Sequence, residues 1–228
     1  MLFPWVGLFE QIRAADTYVH LDDVQFARGY FNRVEIKTTS GTKWLTVPLS
    51  ELSRWKRINE VRLDAHRDWR QSHIDFLRQA FAGAPFKRDV LDVVQSVYKT
   101  DFETLAQLSI ASIERVWSYF DLPAKETFLS SELDVPGRSW ERILNIVRTL
   151  KGDVYITGHG ARNYLNHEAF EEAGVRVEYM DYAKLPYPQL HGAFTPYVSM
   201  LDLIANRGPT GRDVIRSGTK PWRDFLNA

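Results

Sequence analysis

Apolar side chains recur along this chain at two periods, two and about 3.6 residues, and the change from one to the other outlines the predicted elements. Thr17-Tyr18-Val19-His20-Leu21 is β-prone and ends in Asp22-Asp23, which predicts a strand running into a loop. Between Tyr30 and Leu49 the pattern predicts a β-hairpin. Val34 and Ile36 share one parity, Leu45, Val47 and Leu49 share one in the partner strand, and Thr39-Ser40-Gly41 makes the turn. Arg33, Glu35 and Lys37 fall on the opposite parity of the first strand. Ile58 to Leu63 predicts a further strand.

Helical spacing follows. From Arg67 to Phe81, the residues Trp69, His73, Phe76, Leu77 and Ala80 form one face, and Gly83 and Pro85 stop it. Thr100-Asp101-Phe102-Glu103 reads as a capping box opening a helix to about Phe120, before Pro123. Trp140, Ile143, Leu144 and Val147 share a face of a helix that Gly152 closes. Val154-Tyr155-Ile156 then predicts a strand, Thr157-Gly158-His159-Gly160 a turn, Phe170 to Ala173 a helix, and Val175 to Tyr179 a strand. Strand, glycine turn, helix and strand make a βαβ unit, so part of the sheet is expected to be parallel. Tyr197 to Asn206 predicts a last helix, ended by Gly208-Pro209. The fold class expected is α/β: a mixed, partly parallel sheet, an N-terminal β-hairpin and a helical segment at about 67–122, all in a single domain over 1–228.

Composition narrows the function classes. The 228 residues carry 29 Lys+Arg against 29 Asp+Glu, a balance that argues against a nucleic-acid binder. With no cysteine, there is no disulfide scaffold, Cys-based zinc site or thiol nucleophile. No apolar run approaches the roughly 20 residues that span a bilayer. The apolar start, Met1 to Phe9, lacks the basic region and cleavage site of a signal peptide, so a cytoplasmic location is expected. Aromatic residues make up 13%, including seven Trp and ten Tyr, which directs attention to aromatic platforms.

Several residues carry candidate chemistry. Gly158 and His159 sit where a strand meets a helix N-terminus, which suits either an anion or a tight glycine turn. His73, on an apolar helix face, is either a core histidine satisfied by neighbours or a general base. Asp22 and Asp23, with Gln25 beyond them, are turn or capping groups, or carboxylates that take a proton or orient a hydroxyl. The six histidines show no helical metal-binding pair, and no metal site is expected. Ser199, Asp202 and Asn206 form one polar stripe on a helix otherwise apolar nearly all round. Such a stripe either organises a buried network or lines a polar cleft. Just upstream, Tyr187-Pro188-Gln189-Leu190-His191 and Phe194-Thr195-Pro196-Tyr197 form a Pro-punctuated aromatic loop suited to sugar rings or nucleobases, or to anchoring itself on the core.

Taken in order, Phe3-Pro4-Trp5-Val6-Gly7-Leu8-Phe9, Leu21-Asp22-Asp23-Val24-Gln25-Phe26, Asn32-Arg33 with Ile36-Lys37, and Trp44-Leu45-Thr46-Val47-Pro48 resemble the WbqC-like protein family. Tyr155 with Gly158, Tyr187 with Gln189, and Ser199 through Asp202 to Asn206 and Gly208 extend the resemblance over nearly the whole chain. Members usually start with a short strand and a Gln-Pro step just before the position of Met1, and are richer in Arg and Asn around 30–33. The resemblance implies a bacterial protein of surface-polysaccharide (O-antigen, lipopolysaccharide or capsule) biosynthesis that transfers glycine or a small acyl group to an amino sugar. It supplies no catalytic residues.

The expectation from these readings is an amide-forming transferase acting on a small-molecule or nucleotide-linked amino sugar. Arg33 and Lys37 would neutralise phosphate or carboxylate charge. Gln25, Asn32, Tyr187 and Gln189 would orient hydroxyls or an amide, and Asp23 or His73 would take the amine proton. Lacking cysteine, such an enzyme would use an ATP-derived adenylate or an acyl group delivered on a carrier thioester. Two other readings compete: a non-catalytic binding or scaffold protein of a polysaccharide assembly complex, and a glycosyltransferase with Asp22-Asp23 as a metal pair.

Overall fold

A computed structural model describes residues 1–27, 29–50 and 55–227. The fold is mixed α/β, with a hairpin near the N-terminus, helices in the middle and both parallel and antiparallel strand pairs. In chain order the elements are α1 (Val6–Ala14), β1 (Thr17–His20), β2 (Arg33–Thr38), β3 (Gly41–Thr46), α2 (Trp69–Ala80), α3 (Lys87–Tyr98), α4 (Leu105–Tyr119), β4 (Glu126–Leu129), α5 (Ser139–Thr149), β5 (Val154–Thr157), α6 (His167–Glu172), β6 (Arg176–Asp181), α7 (Met200–Arg207), β7 (Gly218–Pro221) and α8 (Trp222–Leu226). They fall into two compact units, one of residues 1–9, 22–123 and 185–215, the other of residues 10–21, 124–184 and 216–228.

In the first unit, β2 and β3 pair antiparallel from Arg33↔Thr46 to Thr38↔Gly41. Period-two alternation sends Val34, Ile36 and Leu45 into the core, as the sequence pattern requires. Helices α2, α3, α4 and α7 complete this unit. Residues 200–205 of α7 are all buried, so α7 has no solvent face along that stretch. Two backbone bonds lock α7 into the unit: Met200 N donates to Pro4 O at 2.8 Å, and Phe86 N to Ala205 O at 3.0 Å.

In the second unit, β5 and β6 pair parallel, with the 3-10 turn His159–Asn163 and α6 between them, and β7 adds antiparallel to β6. The βαβ unit expected from the sequence is therefore present. Separately, β1 pairs parallel with β4. Leu144, Phe170, Val177 and Tyr179 form the core with Trp222 of α8. His167 is buried there, its Nε2 2.8 Å from the Tyr179 hydroxyl and its ring stacked on Trp222.

Three local readings of the sequence are corrected. Ile58 to Leu63 is not a strand: Ile58–Glu60 is a 3-10 turn, followed by single bridges from Arg62 to Thr104 and from Leu63 to Leu49. Polar groups bend this segment, since Glu60 Oε2 accepts from Arg57 N at 2.8 Å and Asp22 O accepts from Asn59 N at 2.8 Å. The capping box opening α4 lies one motif later than Thr100–Glu103. Thr104 Oγ1 accepts from Gln107 N at 3.3 Å, and Gln107 Oε1 accepts from Thr104 N at 3.1 Å. Ser199 is the N-cap of α7 rather than an interior residue of it. Helix α3 was not anticipated as an element of its own, although Val90, Val93, Val94 and Val97 recur at i, i+3, i+4 and i+7 and are buried.

Gly208 ends α7 at φ 55°, and a Cβ there would lie 2.5 Å from the Phe86 ring. Both the backbone conformation and the space reserve this position for glycine. Gly208→Ala is expected to destabilise the protein by about 3 kcal/mol, read as a lowered midpoint in urea unfolding at unchanged m-value. An unchanged midpoint would contradict that role.

Candidate functional site

Helix α7 positions the most unusual group in the first unit. Its cap, Ser199, accepts from Leu201 N at 3.2 Å through Oγ and donates to Phe3 O at 2.7 Å, while Ser199 N donates to Glu35 O at 2.9 Å. The stripe residue Ser199 thus fixes the start of α7 against β2 and the N-terminal segment. One turn on, Asp202 is 1% exposed. Its Oδ1 accepts from the Tyr187 hydroxyl at 3.1 Å and from Asn206 Nδ2 at 3.2 Å. Its Oδ2 is enclosed and has no hydrogen-bond partner among the described residues.

A chain of bonds runs outward from Oδ1. The Tyr187 hydroxyl accepts from Gln189 Nε2 at 3.0 Å. Gln189 also closes its own loop, Nε2 donating to Thr195 O at 3.0 Å and Oε1 accepting from Thr195 N at 2.9 Å. Lys37, buried on β2, donates to Gln189 Oε1 at 3.2 Å, to Gly192 O at 3.0 Å and to Ala193 O. Three acceptors match the three protons of an ammonium. Lys37 is therefore committed to holding the 187–195 segment. Phe194 packs edge-on against Tyr187 at 5.3 Å.

Burial raises the Asp202 pKa to about 6, against the opposing pull of Tyr187, nearby Lys37, Gln189 and Asn206. Burial and then the Asp202 carboxylate push the Tyr187 hydroxyl up as well. A carboxyl that titrates near 6 with one unpartnered oxygen has the protonation chemistry of a group that takes up or releases a proton.

Other expected site residues are placed differently. His73 lies in the core of the first unit, with Nε2 3.0 Å from Thr46 O and Nδ1 2.9 Å from the Tyr98 hydroxyl. The carbonyl can only accept, so Nε2 carries the proton and Nδ1 accepts from Tyr98. Burial lowers the His73 pKa to about 4, with the bond to Thr46 opposing it. Both nitrogens are engaged, the arrangement of a satisfied core histidine. Asp22 is buried, its Oδ2 accepting from Asn59 Nδ2 at 3.1 Å. Asp23 is half-buried beside it, and Gln25 is exposed and bridges to Arg57. Asn32 Nδ2 donates to Val47 O at 3.0 Å, closing the hairpin. Arg33 lies over the Trp44 ring, 4.2 Å from its centroid. Gly158 and His159 belong to the second unit, where a Cβ on Gly158 would lie 3.2 Å from the Tyr182 hydroxyl and His159 Nε2 lies 2.7 Å from Met180 O. Among the described residues, no group of three His, Asp or Glu side chains is placed to hold a metal ion. No helix among them is long and apolar enough to cross a membrane.

So the structure gathers Lys37, Tyr187, Gln189, Asp202 and Asn206 from the expected set into one network. It adds Thr195, which the Gln189 spacing alone did not point to. Trp44 was also missed, although it is two residues from Thr46, the cross-strand partner of Arg33, and so shares the Arg33 face.

Two stability measurements follow from these protonation states. Asp202 binds its proton more tightly folded than unfolded, so its charge penalises the fold above pH about 6, and the penalty fades as pH falls towards 4. Asp202→Asn should therefore stabilise the protein by about 3 kcal/mol at pH 8 and by only about 0.5 kcal/mol near pH 4. His73 has the opposite sign. Its neutral form is favoured folded, so its contribution is intact above pH about 6.5 and lost as pH falls towards about 4. Between pH 7.5 and 5 the wild-type should lose about 2 kcal/mol more than His73→Gln. Parallel pH profiles for wild-type and variant would refute either assignment.

The WbqC-like protein family model matches residues 1–214, which include every member of the Asp202 network. The chain is 30% identical over 217 residues to an uncharacterized protein of Mycobacterium tuberculosis, Rv1507c, with 93% of each chain covered. No solved structure matches. With residues 1–214 matched out of 228, this chain belongs to the WbqC-like protein family.

Proposed function

We propose that this protein works in bacterial surface-polysaccharide biosynthesis, O-antigen or capsule, by transferring glycine or a small acyl group to the amine of a small-molecule or nucleotide-linked amino sugar. The observation that carries the reading is Asp202, a buried carboxyl near neutrality whose Oδ2 alone lacks a partner within a network that satisfies its Oδ1. Amide formation needs one such group. As the amine lone pair attacks the acyl carbonyl carbon, a C–N bond forms and the bond to the leaving group breaks. The nitrogen must then give up a proton. Asp202 Oδ2 accepts it.

Tyr187 and Asn206 hold Oδ1, with Gln189 bracing the Tyr187 hydroxyl, leaving only Oδ2 to face the substrate. Oδ2 is enclosed, so this reading requires a local opening beside Oδ2 that leaves the Tyr187 and Asn206 bonds to Oδ1 in place. The chain has no cysteine, so the acyl group arrives already activated, as a carrier thioester or as an adenylate formed from ATP. On this reading the base is Asp202 rather than Asp23 or His73, since both His73 nitrogens are already bonded within the core.

The test is to incubate the protein with nucleotide-linked amino sugars and either glycine with ATP or glycyl and acetyl thioesters, and to follow N-acylation by mass spectrometry. Turnover should appear with one donor, and its kcat/KM should rise with pH through about 6 as Asp202 loses its proton. Asp202→Asn should lower turnover by about 100-fold or more while remaining folded. No N-acylated product with any donor, or full activity in Asp202→Asn, would sink this reading.

A further inference from the structure

Arg33, Glu35 and Lys37 lie on one face of β2, and the register sets Thr46, Trp44 and Thr42 opposite them on β3, so all six point to the same side of the hairpin. Lys37, at one end of this face, is covered by the 187–195 segment and fully bonded. The other end is open. Trp44 is 40% exposed and Tyr30 54% exposed, and their rings meet edge-on at 5.4 Å. The Arg33 guanidinium carbon sits over Trp44, 4.2 Å from the ring centroid, and among the described residues that ring is its one partner. Arg33 Nε is enclosed and has no acceptor among the described residues.

Each half of this arrangement is a recognition element. A guanidinium laid on an indole is held in one orientation, and its planar fork keeps the geometry that matches two oxygens of a phosphate or carboxylate. The exposed Trp44 and Tyr30 rings beside it, tilted 64° to each other, offer an apolar corner against which a ring can pack. Glu35, two residues along the same face, is not a partner of Arg33.

We propose that Trp44, Tyr30 and Arg33 form a binding subsite for a sugar ring carrying an anionic oxygen group, the ring packing against the exposed Trp44 and Tyr30 rings and the phosphate or carboxylate docking on the Arg33 fork. The subsite concerns recognition alone and does not depend on Asp202 acting as a base.

The probe is the Trp44 indole N–H in 15N-labelled protein, assigned by its disappearance in Trp44→Phe. It is titrated with glucose 1-phosphate, glucuronate, glucose and inorganic phosphate. At least one of the two anionic sugars should shift it at concentrations about tenfold below those needed for glucose or inorganic phosphate, because only it fills both halves of the site. Which of the two binds tells phosphate from carboxylate. Arg33→Gln should weaken that binding about tenfold, and Arg33→Lys by less, since it keeps the charge but loses the fork. Trp44→Ala should erase the preference for sugar phosphate or glucuronate over inorganic phosphate, followed on the resonances of Arg33 and Thr46. Trp44 and Arg33 are not core residues, so the remaining spectrum should stay that of the folded chain. If neither anionic sugar shifts Trp44 at about 10 mM, a weak affinity for any real subsite, the proposal falls. It falls equally if binding survives undiminished in Arg33→Gln. Loss of N-acylation in Asp202→Asn with sugar binding intact would leave it standing.

Discussion

A carboxylate cannot be taken out of water cheaply, and the first unit is arranged around one that has been. Asp202 lies on a helix buried along residues 200–205, where an isolated charge would be prohibitive. Two donors on Oδ1 offset part of that cost, and one of them, Tyr187, sits on a different segment. Tyr187 can donate there only if the segment from 187 to 195 is folded, which Gln189 ensures by closing onto Thr195 in both directions. That closed segment is in turn pinned to β2 by Lys37. A buried lysine needs acceptors as much as a buried aspartate needs donors, and two carbonyls and an amide oxygen supply them. Each element of the network answers the desolvation of the one before it. Only Asp202 Oδ2 breaks the sequence. In a purely structural network that oxygen would be satisfied first, since an unmade bond to a buried charge costs about 1–3 kcal/mol or more.

What the sequence could tell depended on how local each signal was. The hairpin, the βαβ unit, the middle helices and the buried polar stripe of α7 rest on spacing within a dozen residues, and they are present. Asp202 and Asn206 are legible for the same reason, being one turn apart on an otherwise apolar helix. Lys37 was not legible as a buried group. Parity places it off the core face, and what buries it is a segment 152 residues later. His73 could be placed indoors but not assigned a role, because its partner Tyr98 lies on α3. That helix is lined with valines, which suit strands as well as helices, and Pro85 reads as a stop rather than as a brief interruption. Ile58–Glu60 failed differently. Its apolar spacing is strand-like, and side-chain bonds from Glu60 and the Asp22–Asn59 contacts bend it into a 3-10 turn.

Arg33 and Lys37 show why the kind of cation matters more than its count. They carry the same charge on the same face of one strand, and a balance of 29 basic against 29 acidic residues distinguishes neither. Their surroundings do. Lys37 meets three oxygens arranged around a point, which suits a compact ammonium and leaves it nothing to give a ligand. Arg33 meets a flat ring, which suits a planar guanidinium, and among the described residues its N–H groups find no acceptor. Exchanging the two would fail at both ends: an arginine at position 37 has a fork where three separate carbonyl and amide oxygens expect a point, and a lysine at position 33 cannot stack and present two parallel donors at once. The hairpin thus divides one row of charge into a structural end, under the 187–195 segment, and an open end, where the unused donors and the exposed rings coincide.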